Sequence, residues 1–328
     1  MGRLGLSLAC WDYDRTRALR DGRVRVEGAD LLYLSLPPEA TFFRTMRHRE
    51  FAAAELSLSS FVLSCCSEER PFVGLPVFPS RSFRHNGVFV HRESVSEPGD
   101  LAGKTVGVAE YQLTANVWIR GILADEHGVA VDSVSYRTGG VESPGRIEKA
   151  TVAPPGISIE PIGPDETLSA LLAAGRIDAY YGPRTPSSFR DGDGRVVRLF
   201  PDHRAREREY FERTRIFPIM HVLVLRRDVY EQHPWVAQNL CVAFEEAKRL
   251  AYEELLETAA QKVTLPWGSS EAEEARALMG DDYWSYGLDA NRHVLETFLR
   301  YHHEQGLSPR LLEPEELFAP ETLETFVI

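Results

Sequence analysis

The sequence predicts an α/β protein of two domains with largely parallel sheets, and three observations carry that expectation. Strand-like apolar runs alternate with helical stretches along the chain, as in successive strand–helix–strand units. At 328 residues the chain exceeds what one hydrophobic core usually serves. The polar turn PGDLAG at residues 98–103 leads into a fresh strand, so a second α/β unit is expected to begin there.

Residues 4–10 read as the first strand, followed by a charged connection over 11–17. The turn Glu27-Gly28-Ala29-Asp30 leads into a second strand at 31–34, residues 38–48 read as a helix, and 52–56 as a strand ending at Ser57-Leu58-Ser59-Ser60. That serine group suits the start of a helix, where a side-chain oxygen accepts from free N–H groups and an anion can bind. Beyond the turn at 98–103, residues 105–109 form a strand and 113–126 a helix. A short helix opens at Asp165-Glu166-Thr167-Leu168 and closes at Gly175, and 177–181 is a strand. Glycine, proline and isolated charges make residues 137–163 an extended loop. The run 221–225 is a strong strand that leads into a long helix after Pro234, on which Val236, Leu240, Phe244, Ala247, Ala251 and Leu255 recur at helical spacing as a core stripe. His302 and His303 are expected on a surface helix near the C-terminus.

With 43% hydrophobic and 26% charged residues the composition is that of an ordinary globular protein. The net charge of −12 and the lack of any basic tract exclude a nucleic-acid surface. No run reaches the ~18 apolar residues of a membrane helix. The start MGRLGLSLACW lacks an A-x-A-like cleavage site and reads as a strand, so a cytoplasmic protein is expected. Cys10, Cys65, Cys66 and Cys241 show no metal-binding spacing and read as buried reduced thiols.

The most informative stretch is PVFPSRSFRHNGVFV at 76–90, which sets Arg81, Arg84 and His85 on a short connection between two apolar runs. Two guanidiniums within four positions form a clamp for a diacid, and the imidazole adds a proton that moves near neutral pH. The plainer alternative is a basic loop paired with acidic neighbours.

The order of elements resembles the two-lobed fold of type 2 periplasmic solute-binding proteins, with DLAGKTVGV similar to that family's crossover and AAGRIDAYY to its late strand. The motifs DYDRTRALRDGRV, ELSLSS, PVFPSRSFRHNGVFV, VAEYQLTANVWIRGIL, RTRIFPIMHVLVLRRDVYEQHPWVA and DDYWSYGLDANR resemble the 4,5-dihydroxyphthalate decarboxylase family over nearly the whole chain. The resemblance implies a discontinuous first lobe at 1–98 and 217–328, a second lobe at 99–216, and a ligand cleft between them.

Ligands of open α/β sheets bind beyond the carboxyl ends of strands. That rule gathers Asp12, Tyr13, Glu55, Ser57, Ser59, Glu110, Tyr111, Thr114 and Arg184 with Arg81, Arg84 and His85, and adds His221 at the expected return between lobes. Decarboxylation of a hydroxylated aromatic diacid requires a proton donor at the ring carbon, a base at the phenol and a cation clamp. His85 is the leading donor; His221 and Glu110 are candidates for the phenol side, and Arg81, Arg84 and Arg184 for the clamp. No cofactor is required. A divalent metal held by His85, His221, Glu110, Glu55 and Asp12 is an alternative that no local spacing supports.

The implied ligand is a small aromatic carboxylate, the implied reaction a cytoplasmic carboxy-lyase giving a hydroxybenzoate, with self-association into a homo-oligomer left open. The alternatives are a solute-binding protein without catalysis and a family member recruited to another reaction on an aromatic acid.

Overall fold

Alternating apolar residues make β1 (Leu4–Ala9), in which Leu6, Leu8 and Ala9 are buried. β2 (Ala29–Leu34) and β3 (Ala53–Ser57) follow; β3 is buried along its whole length although Glu55 sits at its centre. β4 (Phe72–Arg81) ends the first stretch. Next come β5 (Val88–His91), β6 (Thr105–Val108), β7 (Ser135–Thr138), β8 (Ile159–Pro161), β9 (Ala179–Tyr181), β10 (Val196–Arg198) and β11 (Ile219–Arg226). The computed structural model describes residues 2–323.

Among the described residues the strands form two sheets, ordered β2-β1-β3-β11-β4 and β10-β5-β9-β6-β7-β8. The chain divides accordingly. Unit 1 holds the residues up to Arg81, Ile219–Glu296 and the segment from Leu312; unit 2 holds Ser82–Pro218 and Thr297–Leu311. Both boundaries differ from those expected at 98/99 and 216/217. β5 lies before the PGDLAG turn yet pairs antiparallel with β9 and β10, so the crossing into unit 2 occurs at Arg81-Ser82. Thr297–Leu311 joins unit 2 because Phe298 and Tyr301 pack on Trp118 and Gln305 accepts from Arg120. Gly121 admits that packing, since a Cβ there would overlap the Tyr301 ring.

The pairs β1-β2, β1-β3, β6-β7, β6-β9 and β7-β8 are parallel, whereas β11 runs antiparallel between β3 and β4. Unit 1 packs Leu6, Leu8, Leu75, Val77, Leu223 and Leu225 against the helix Trp235–Leu255, which contributes Val236, Leu240, Phe244 and Ala247 as its periodicity predicts. Unit 2 packs Phe89, Leu168, Leu172, Ile177, Tyr180 and Val196.

The helix Pro38–His48 spans its expected residues, with proline at its start, Glu39 in its first turn, Arg47 and His48 in its last, and Arg49 closing it at φ 50°. The charged connection after β1 is instead the helix Asp14–Arg20, and the loop at 137–163 contains the short strand β8. His302 is fully buried rather than on the surface. The cysteines are free; Cys10 and Cys65 are buried, Cys66 and Cys241 only partly. No helix among the described residues is long and apolar enough to cross a membrane.

Candidate functional site

In unit 1 a buried carboxylate collects a phenol, an imidazole and a thiol. Cys10 and Trp11 leave the end of β1, and Tyr13 stands just before the helix Asp14–Arg20. β3 contributes Glu55. His221 on β11 lies opposite Ser57, one diagonal step from Glu55, so both project from the same face of the sheet. The β11-β4 register slips on either side of His221, an irregularity of the kind that re-aims a side chain.

Glu55 is fully buried. Its Oε1 accepts from the Tyr13 hydroxyl at 2.6 Å and meets His221 Nδ1 at 2.6 Å, and its Oε2 accepts from the Trp11 N–H at 3.0 Å and the Cys10 thiol at 3.6 Å. Burial by itself pushes this carboxyl upward, but the His221 imidazole and the hydrogen bonds from His221, Trp11 and Tyr13 hold it below the usual glutamate range. Burial and the charge of Glu55 drive the Tyr13 phenol far above its ordinary value, and the same two causes raise Cys10. Both therefore remain protonated donors.

An ionised carboxylate only accepts, so the bond to His221 places a proton on Nδ1 and leaves Nε2 for chemistry. His221 Nε2 has no hydrogen-bond partner among the described residues, and the side chain keeps 18% exposure. Phe42 fixes the ring edge-on at 4.8 Å.

Other expected site residues in unit 1 are built into the fold. Arg81 is 6% exposed and donates from Nη2 to the Ser285 carbonyl at 2.7 Å and to Asn291 Oδ1, tying down the segment DDYWSYGLDANR; burial pushes its guanidinium down to about 10. Asp12 pairs with Arg17 and Arg20. Ser57 and Ser59 are buried at the start of the helix Leu58–Cys65, but Ser57 at the cap position makes no side-chain cap bond, contrary to the expected role.

Unit 2 holds the rest. His85, expected to deliver the proton, is 3% exposed, stands edge-on to Phe200 and Tyr210, and faces Glu126 at 3.9 Å. That packing makes it a core histidine. Arg84 is also buried, and desolvation draws it down to about 10 against the opposing charge of Glu207. The RSFRH group is thus divided, Arg81 in one unit and Arg84 with His85 in the other. Tyr111 is a core residue under the Arg120 guanidinium at 3.9 Å, Thr114 begins the helix Thr114–His127 and is buried, and Arg184 is exposed.

Glu110, expected to act on a phenol, is fully buried among fixed cations. Its Oε1 accepts from Lys149 Nζ at 2.5 Å and from Arg146 at 2.6 and 3.0 Å; its Oε2 accepts from Gln112 at 2.9 Å and the Lys149 N–H at 3.2 Å. Burial raises this carboxyl, and the Lys149 and Arg146 charges more than reverse that. Sequence reasoning missed Arg146 and Lys149. They lie 36 and 39 residues away in a stretch that reads as a loop, and no local pattern marks such a pairing.

Among the described residues no group of three or more His, Cys, Asp or Glu is arranged to hold a metal ion.

No family model matches the chain. It is 45% identical over 330 residues to 4,5-dihydroxyphthalate decarboxylase of Comamonas testosteroni, covering 100% of both chains. To the protein of the same name from Pseudomonas putida it is 42% identical over 204 residues, covering 62% of this chain and 79% of that one. Among solved structures, the periplasmic sulfonate-binding protein SsuA of Methylobacillus flagellatus superposes with a TM-score of 0.53 at 13% identity, over 98% of this chain and 93% of that one. The fold is therefore of the periplasmic-binding-protein type.

Proposed function

From a chain that belongs to the 4,5-dihydroxyphthalate decarboxylase family, we propose a carboxy-lyase that removes one carboxyl group of 4,5-dihydroxyphthalate and yields 3,4-dihydroxybenzoate, with His221 as the proton donor. The Glu55–His221 pair carries the assignment of roles. It joins an imidazole with a free nitrogen to a buried carboxylate 2.6 Å behind it.

A phenyl carbanion is too unstable to form by direct loss of carbon dioxide, so protonation of the ring comes first. The hydroxyl para to the leaving carboxylate feeds electron density toward the carbon that bears it. His221, charged and stabilised by Glu55, passes its Nε2 proton to that carbon. The bond to the carboxylate then breaks, its electron pair restores the aromatic ring, and carbon dioxide leaves. Neutral His221 regains a proton from water. Glu55 keeps Nδ1 protonated and the ring oriented, the role a buried acid plays behind a catalytic histidine.

The test is to incubate the purified protein with 4,5-dihydroxyphthalate and with a panel of other aromatic mono- and diacids, with and without a chelator, following carbon dioxide release and product formation. Release from the dihydroxylated diacid is expected. Binding of the diacid with no release from any acid would overturn catalysis and leave capture, the alternative that the solute-binding fold supports. Loss of activity on chelation would bring a divalent ion into the mechanism.

A further inference from the structure

We infer that Arg15 is a positioning residue for the Tyr13–Glu55–His221 group, acting by stacking on the Tyr13 ring; the inference rests on the decarboxylase reading and deepens it. The Arg15 guanidinium is layered between two aromatic rings, 4.2 Å from the Tyr13 centroid and 3.9 Å from the Trp284 centroid. All three of its nitrogens are engaged. Nε and Nη2 donate to the Pro79 carbonyl at 2.7 and 2.5 Å, and Nη1 to Asp14 Oδ1 at 3.0 Å. Trp284 is held in turn by its indole N–H on the Phe78 carbonyl at 2.9 Å and by its backbone N–H on the Tyr252 hydroxyl at 2.9 Å. Two consecutive carbonyl anchors, at Phe78 and Pro79 on β4, thus hold a plate against which the Tyr13 ring lies.

The consequence falls on Glu55. Tyr13 and His221 share one oxygen, Oε1, each at 2.6 Å, so the position of the phenol decides how that oxygen faces the imidazole. A Tyr13 ring released from its plate would let the carboxylate turn and the His221 ring tilt, and small misplacements of a proton donor are costly in rate. Only a planar, forked cation can bind a carbonyl edge-on while presenting both faces to rings, so lysine is not a substitute here. Arg15 keeps 14% exposure.

Three variants of the full chain test the inference. Arg15→Lys retains the charge and loses the plate; we expect kcat to fall roughly 10- to 30-fold with KM within about twofold, the split expected of a group that acts on the transition state rather than on binding. Arg15→Ala should fall at least as far and recover several-fold with added ethylguanidinium but not with ethylammonium. Trp284→Ala, which removes the outer ring, serves if the Arg15 variants do not fold, and should lower kcat about 3- to 10-fold. The inference is overturned if kcat of Arg15→Lys stays within about twofold of the parent, if the loss lies in KM, if it tracks the folded fraction, or, where only Trp284→Ala folds, if that variant keeps its kcat. His221→Gln separates the two levels: its inactivity beside an undisturbed Arg15→Lys rejects Arg15 alone, whereas full activity of His221→Gln rejects the reading beneath it.

Discussion

Two buried glutamates, Glu55 at the centre of β3 in unit 1 and Glu110 just beyond β6 in unit 2, look alike in the sequence and differ in what surrounds them. Both are fully covered, and both carboxyls are held below their usual range despite burial. Glu110 achieves this with a lysine and an arginine, together with Gln112 and a backbone N–H. Glu55 has a histidine, a phenol, a thiol and a backbone N–H. The first set can only bind. The second contains an imidazole held at its Nδ1, so a shared geometry serves as a latch in one unit and, in the proposed reaction, as the proton-donating pair in the other.

The contrast is sharpest in turnover. His221→Gln should lower kcat/KM by about 10²–10⁴-fold while diacid affinity changes little, measured by steady-state kinetics beside equilibrium binding; retained turnover would break the comparison at once. Glu55→Gln keeps the shape of the residue but no longer fixes the imidazole or its charge, and about 10²–10³-fold should be lost from kcat. Glu110→Ala should act on stability. It removes the carboxylate that the nearly buried Lys149 and the partly covered Arg146 share, at a cost of about 3–5 kcal/mol in denaturant unfolding, with kcat of the folded fraction preserved.

Acid provides a milder probe of the same difference. The Glu110 carboxyl is lower in the folded chain than in the unfolded one, so its contribution is complete above the unfolded value of about 4.3 and is lost as pH falls through the folded value. The stability gap between the parent and Glu110→Gln should therefore shrink below about pH 4; a gap that is constant from pH 7 to 3 would remove the charge argument. The smallest effect is expected at His85. His85→Leu should leave kcat within about threefold and cost about 1–3 kcal/mol, and a larger kinetic loss would return the donor role to unit 2.

Local signals made much of the fold legible. The helix Pro38–His48 is written in its prolines and terminal charges, and Trp235–Leu255 in a stripe that must face a core. Gly175, at φ 65°, closes the short helix Leu168–Ala173 as a residue without a Cβ readily does. The site was legible only as a set of names. Glu55 and Tyr13 emerged from the strand-end rule and His221 from its place at the return between lobes, but Tyr111, Thr114 and Glu110 emerged beside them, and nothing local ranked them.

What the sequence by itself determined, then, is the α/β class, the order of most elements and the inventory of polar residues at strand ends, because periodicity, caps and turns act over a few residues and leave local marks. Tertiary structure alone decided that the chain crosses into unit 2 at Ser82, that RSFRH is split, that His85 is packed among aromatic rings, and that Glu55 and Glu110 have opposite kinds of partner. Those outcomes depend on pairings such as Glu55 with His221, 166 residues apart. The charge state and reach of a side chain are set by whatever folding brings within 3 Å of it, and no local pattern encodes that neighbour.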